Sequence, residues 1–123
     1  MHDIAIIDSD YARSKHFCCH VLGFMLICEH YRAARDSWKE DLVLRGDYLI
    51  ELFSFLSALR RLSRPEAQGL CHLVFSVADI YRAISSLEAD GVAFEPLRVD
   101  VLISKEFTFF TAPDRLPLEL YEA

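Results

Sequence analysis

Apolar runs and polar breaks alternate from the second residue onward. Residues 2–7 (HDIAII) are rich in Ile and predict a buried strand, and Asp8, Ser9 and Asp10 then offer side chains suited to capping a helix. Across residues 11–22, Phe17, Val21 and Leu22 lie on one helical stripe with Ser14 and Cys18 beside it, and Gly23 stands where a left-handed C-terminal cap is wanted. Residues 24–31 (FMLICEHY) and 37–44 (SWKEDLVL) predict two strands. Arg45, Gly46 and Asp47 predict a tight reversal into a further strand, residues 48–55 (YLIELFSF). The first half therefore spells βαβββ.

Residues 56–69 break this rhythm. They are polar and basic, with Leu56, Leu59 and Leu62 and a Ser63-Arg64-Pro65-Glu66 segment, and read as a linker or lid. Residues 70–77 (LCHLVFSV) predict another buried strand. Asp79 is placed to cap a helix over residues 80–90 whose apolar face is Ala83, Ile84 and Leu87, and Gly91 stops it as Gly23 stops the first. Residues 92–99, 103–111 (ISKEFTFFT) and 116–122 (LPLELYE) predict three more strands, the last entered through a turn at Ala112-Pro113-Asp114-Arg115. The second half repeats βαβββ. Asp10 to Asp79 and Arg13 to Arg82 are 69 positions apart, and Gly23 to Gly91 and Glu51 to Glu119 are 68 apart. One residue of slack within the helix reconciles the two offsets.

Composition narrows the class. With 123 residues, 53% of them hydrophobic, the chain is long enough for one domain with a sizeable core, residues 1–123, comprising module one (1–55), a linker (56–69) and module two (70–123). A net charge of −6 with scattered basic residues argues against nucleic-acid binding. The short run Arg60, Arg61 and Arg64 reads as a solvated loop. Cys18, Cys19, Cys28 and Cys71 show no ligand or disulfide spacing and read as free thiols in a reducing compartment. No signal-like segment and no apolar run of roughly 20 residues is present, so a cytoplasmic protein with no membrane partner is expected.

Against this background four side chains stand out. Glu51 and Glu119 are single acids set into apolar strands, and a carboxylate facing an interior needs a cation or a proton. The offset of 69 sets Asp3 against His72. Asp3, Glu51, His72 and Glu119 thus form two equivalent pairs, each from the first and last strand of its module, and a pseudo-twofold between modules would bring all four to one point. A hydrogen-bonded core histidine is the plain reading of His72 alone. Three carboxylates and an imidazole at equivalent positions point instead to a divalent cation: Ni²⁺, Co²⁺, Zn²⁺, Mn²⁺ or Fe²⁺. The phenylalanines Phe53, Phe55, Phe107, Phe109 and Phe110 are candidates for a pocket wall or for core packing.

The paired modules and the stretches IAIIDSDY, LGF, IELFSF, GLCHLVFSV, FTFF and PDRLPLELYE resemble the vicinal oxygen chelate superfamily, and within it the small bacterial glyoxalase I-like proteins related to lactoylglutathione lyase. The resemblance covers essentially the whole chain. It implies an α+β fold of two tandem βαβββ modules forming a cupped mixed sheet, the glyoxalase/bleomycin resistance fold. Further, it implies a metal in the cup, with Glu51, His72 and Glu119 as three of its ligands, and a homodimer. Where this family usually carries His before its IAI-type segment, the sequence has Asp3, with His2 as the alternative ligand; where the last turn usually has Gly, it has Arg115. The 56–62 stretch, usually Pro-rich, is rich in Leu and Arg.

The activity implied is that of a metal-dependent lyase or isomerase of glyoxalase I type on a hemithioacetal or related small carbonyl compound. Glu119 would move a carbon-bound proton, with Glu51 as the second catalytic carboxylate. A non-catalytic, ligand-sequestering protein with a degenerate metal site is the alternative. A dioxygenase, which would need two histidines and one glutamate, fits least.

Overall fold

Two consecutive copies of one strand-helix-strand-strand-strand pattern make up the backbone, and a computed structural model describes residues 1–123, the side chain of Tyr48 excepted. The chain divides into two units, Met1–Arg60 and Arg61–Ala123. The first contains β1 (Ile4–Asp8), α1 (Tyr11–His16), a π-helical turn (Phe17–Val21), β2 (Met25–Arg32), a 3₁₀ turn (Ala33–Arg35), β3 (Ser37–Leu44) and β4 (Tyr48–Ser54). The second contains β5 (Leu73–Val77), α2 (Ile80–Ala89), β6 (Arg98–Asp100), β7 (Lys105–Thr111) and β8 (Pro117–Glu122). The fold is α+β, with one four-stranded mixed sheet per unit, ordered β1-β4-β3-β2 and β5-β8-β7-β6.

Registers reproduce the sequence offsets. In the first unit β1 runs parallel to β4 with Ile4 beside Ile50 and Ala5 beside Glu51; in the second, β5 runs parallel to β8 with Leu73 beside Leu118 and Val74 beside Glu119. The helices start alike. Asp10 accepts a hydrogen bond from the Arg13 amide at 3.1 Å, and Asp79 accepts one from the Arg82 amide at 3.0 Å. They also stop alike, with Gly23 at φ +84° and Gly91 at φ +87°, a conformation that a Cβ disfavours. Arg115, where the resemblance expects Gly, adopts φ +69° in the last turn, closed by an Ala112 amide bond to the Leu116 carbonyl at 3.0 Å.

Several elements differ from expectation. The first helix changes to π geometry at Phe17, and the buried residues it contributes are Ser14 and Cys18. The strand expected over residues 92–99 shrinks to Arg98–Asp100, because the Glu95 backbone bonds to β7 (amide to the Phe109 carbonyl, 2.9 Å) outside a regular ladder. β1 and β5 begin at Ile4 and Leu73, so Asp3 and His72 sit immediately before their strands. Residues 56–69 hold no helix or strand, and Arg61 there donates to the Leu70 and Cys71 carbonyls, so it is tied to its own unit. None of the cysteines is in a disulfide; Cys18 is buried, and burial pushes its thiol up to about 12, whereas Cys71 is exposed.

Strand alternation gives each sheet two faces. The core face carries Leu42, Ile50 and Leu52 in the first unit and Phe110, Leu118 and Leu120 in the second, all almost wholly buried. Phe110 packs there against Phe94, ring centroids 5.0 Å apart, and is therefore core. The opposite faces carry Glu51 and Glu119. Among the described residues, no helix is long and apolar enough to cross a membrane.

Candidate functional site

In the second unit the two predicted residues meet. Glu119 is buried at the centre of β8, and His72 Nε2 lies 3.1 Å from its Oε2. The imidazole meets the Phe109 ring edge-on at 5.3 Å, and Phe109 is the β7 partner of Glu119. Phe107, one pleat further along β7, meets Phe109 edge-on at 6.2 Å. A nitrogen and an oxygen donor are thus held side by side against hydrocarbon. That separation is a hydrogen bond's and also that of two adjacent ligands about 2.1 Å from a divalent cation, but among the described residues no group of three or more His, Cys, Asp or Glu side chains comes together to hold a metal ion.

The first unit presents its pair differently. Ala5, two residues after Asp3, is the β1 neighbour of Glu51, which puts Asp3 at the end of the strand beside Glu51. Yet Asp3 Oδ2 is 2.6 Å from Nδ1 of the exposed His2, and Glu51 Oε1 is 2.9 Å from Lys39 Nζ. Lys39 also holds Asp41 Oδ1 at 3.0 Å, and Asp41 accepts a hydrogen bond from the Cys28 thiol at 3.1 Å. Hydrogen bonds to Glu51 and then Asp41 raise the Lys39 pKa, so the ammonium is secure. Burial works to raise the Asp41 carboxyl, but the bonds from Cys28 and Lys39 outweigh it and leave it lowered. A cation of the protein's own stands against Glu51, so the donor set here suits a metal less readily than that of the second unit.

Three residues of this face were not singled out from the sequence: Arg32, Ser37 and Lys39. Arg32 Cζ lies 4.8 Å from the Phe53 ring centroid and 5.6 Å from that of Phe55, and its Nη2 donates to Ser37 Oγ at 3.0 Å. The available signal was the period of two through SWKEDLVL, which lines up Ser37, Lys39 and Asp41. It was hidden because Trp38 and Glu40 interrupt any apolar alternation.

Comparison with known proteins follows the same lines. The sequence profile of the Glyoxalase/Bleomycin resistance protein/Dioxygenase superfamily matches residues 1–120. The chain belongs to this superfamily. Among curated relatives of this superfamily member, the uncharacterised protein YaeR of Escherichia coli (strain K12) is 60% identical over 122 residues, covering 99% of this chain and 95% of YaeR. The crystal structure of the glyoxalase family protein from Enterococcus faecalis is 42% identical, with a TM-score of 0.93 over 99% of this chain and 96% of that one. At the level of the fold alone, the E126Q mutant of the fosfomycin resistance protein FosX from Listeria monocytogenes, complexed with Mn(II) and 1S,2S-dihydroxypropylphosphonic acid, superposes with a TM-score of 0.75 and 18% identity, covering 98% of this chain and 90% of that one.

Proposed function

We propose that this superfamily member is a metal-dependent lyase or isomerase of glyoxalase I type, acting on a hemithioacetal or a related small carbonyl compound with neighbouring oxygens, and that it works as a homodimer. The observation that carries this reading is the His72–Glu119 pair, an imidazole and a buried carboxylate 3.1 Å apart beside Phe109. The Mn(II) complex of FosX supports the choice of a divalent cation for this fold.

His72 and Glu119, with Asp3 and Glu51 as their first-unit equivalents, are the residues that would hold the cation. When bound, it supplies Lewis-acid polarisation of a substrate oxygen. Glu119 is the residue to carry the proton, because its side chain is buried beside its β7 neighbour Phe109 and lies 3.1 Å from His72. Phe107 and Phe109, packed edge to face, would wall the site beside that carboxylate. Glu51, held by Lys39, is the second carboxylate.

Elemental analysis after incubation with Ni²⁺, Co²⁺, Zn²⁺ or Mn²⁺, followed by assay with the hemithioacetal of methylglyoxal and glutathione, tests the reading. Bound metal and turnover are expected, with Glu119→Gln keeping part of the metal but losing about 10²- to 10⁴-fold in rate. Unchanged turnover in that variant would remove Glu119 from the role of base. The second reading, a sequestering protein, is favoured by one observation, the Lys39 ammonium already seated on Glu51; a chain that takes up no metal from excess would decide for it.

A further inference from the structure

We infer that the first unit carries a receptor for a small oxyanion, a carboxylate or a phosphate or phosphonate group, with Arg32 at its centre. It rests on the proposed function only in taking the Glu51 face as the face that meets substrate.

Arg32 ends β2 and lies opposite Ser37. Its guanidinium is sandwiched by neither a carboxylate nor solvent alone: the carbon centre lies over Phe53 and Phe55, whose own rings stack 6.2 Å apart at 11°. One nitrogen is occupied by Ser37, and Nε is buried with no hydrogen-bond partner among the described residues. No carboxylate pairs with this guanidinium in any ion pair among the described residues. A buried N–H donor of a charged group left without an acceptor is unfavourable, and a planar fork of donors fits a carboxylate or phosphate with two parallel bonds.

Arg98 in the second unit supplies the contrast. It too lies over two phenylalanines, Phe107 at 5.4 Å and Phe109 at 5.7 Å, but it donates to Glu95 at 2.5 Å and so has its counter-ion. Ringed in the same way, Arg32 has no carboxylate partner among the described residues. Its neighbour across Phe53 is Lys39, 5.9 Å from the same ring and bonded to Glu51. An anion on Arg32 would therefore sit one phenylalanine away from the proposed second carboxylate, the separation expected of a charged handle on a small substrate.

NMR of the wild-type chain, stripped of metal with chelator, tests this directly through the Arg32 Nε–H resonance during titration with sodium methylphosphonate, sodium acetate or glycerol. A saturable shift at Arg32, larger than at Arg98, with either anion and not with glycerol is expected, and the tighter anion identifies the handle. Arg32→Met should weaken that binding about tenfold or more, and Arg32→Lys less than that. An Arg32 resonance unmoved by both anions, or equal anion affinity in a folded Arg32→Met chain, would overturn the inference. Because the titration is done without metal, anion binding in a protein that never takes up metal would uphold the receptor and defeat the metal reading, and the reverse result would do the opposite.

Discussion

Position for position, the two units share a strand order and differ in what they bury. Between helix and sheet the first unit gathers charge: the Tyr11 hydroxyl donates to Glu29 and lies 3.0 Å from Glu40, while Lys15 Nζ lies 2.6 Å from Glu29. At the equivalent positions of the second unit stand Ile80 for Tyr11, Ile84 for Lys15, Leu97 for Glu29 and Thr108 for Glu40. Glu40 and Thr108 are both wholly buried, but Thr108 satisfies its hydroxyl on the Glu95 carbonyl at 2.8 Å, whereas Glu40 Oε1 has no hydrogen-bond partner among the described residues. Burial raises the Glu40 pKa and, with help from the hydrogen bonds to Glu29 and Glu40, that of Tyr11. The other faces differ in the same sense. Lys39 and Asp41 flank Glu51 where Phe107 and Phe109 flank Glu119. One ladder of backbone bonds thus tolerates either a charged or a hydrocarbon filling, because it fixes only which face each residue meets.

The largest effect that can break this comparison is a matched pair of cavities. Leu52 and Leu120 are equally buried and lie beside Glu40 and Thr108 in register. Leu120→Ala should cost about 3 kcal/mol by urea denaturation. Leu52→Ala should cost about 1 kcal/mol less, because water entering its cavity would give Glu40 a partner. Equal losses would mean that the buried carboxylate is already satisfied. A smaller effect sharpens the equivalence of the units: Asp10→Ala and Asp79→Ala should each cost about 1 kcal/mol, since the caps have the same geometry, and a clear difference would show that the shared backbone is not shared energetics.

The smallest expected effect is in pH dependence. The hydrogen bonds from Lys15 and then Tyr11 lower the Glu29 pKa below its ordinary 4.5. A depressed carboxylate contributes stability that is present above 4.5 and is lost as pH falls through the folded value. Thermal unfolding of Glu29→Gln should therefore fall less steeply than wild type below about pH 4.5. A parallel decline in both would assign the acid limb to other groups.

The repeat made much of this legible in advance. Offsets of 68 and 69, two Asp caps and two Gly stops placed the strands and helices, because each is a local signal that reads the same in both halves. Glu119 and His72 were also visible, as an acid and an imidazole in apolar runs, and they do meet. What could not be read was the partner of Glu51. Lys39 lies twelve residues away, and its choice of Glu51 depends on the β3–β4 register that sets Lys39 beside Phe53 and Asp41 beside Glu51.

Arg32 marks the boundary between the two kinds of information. Sequence alone determined that β2 and β3 exist. Only the tertiary structure decided on which face Arg32 would stand: Leu26 pairs with Leu42 but Cys28 pairs with Asp41, so the strand gains one residue at Ile27. A one-residue shift exchanges the faces of everything after it. Without that bulge Arg32 would lie on the Glu40 face; with it, the guanidinium joins Phe53, Lys39 and Glu51. Periodicity is local and is written in the chain, whereas the phase between two strands is settled by pairing across the sheet.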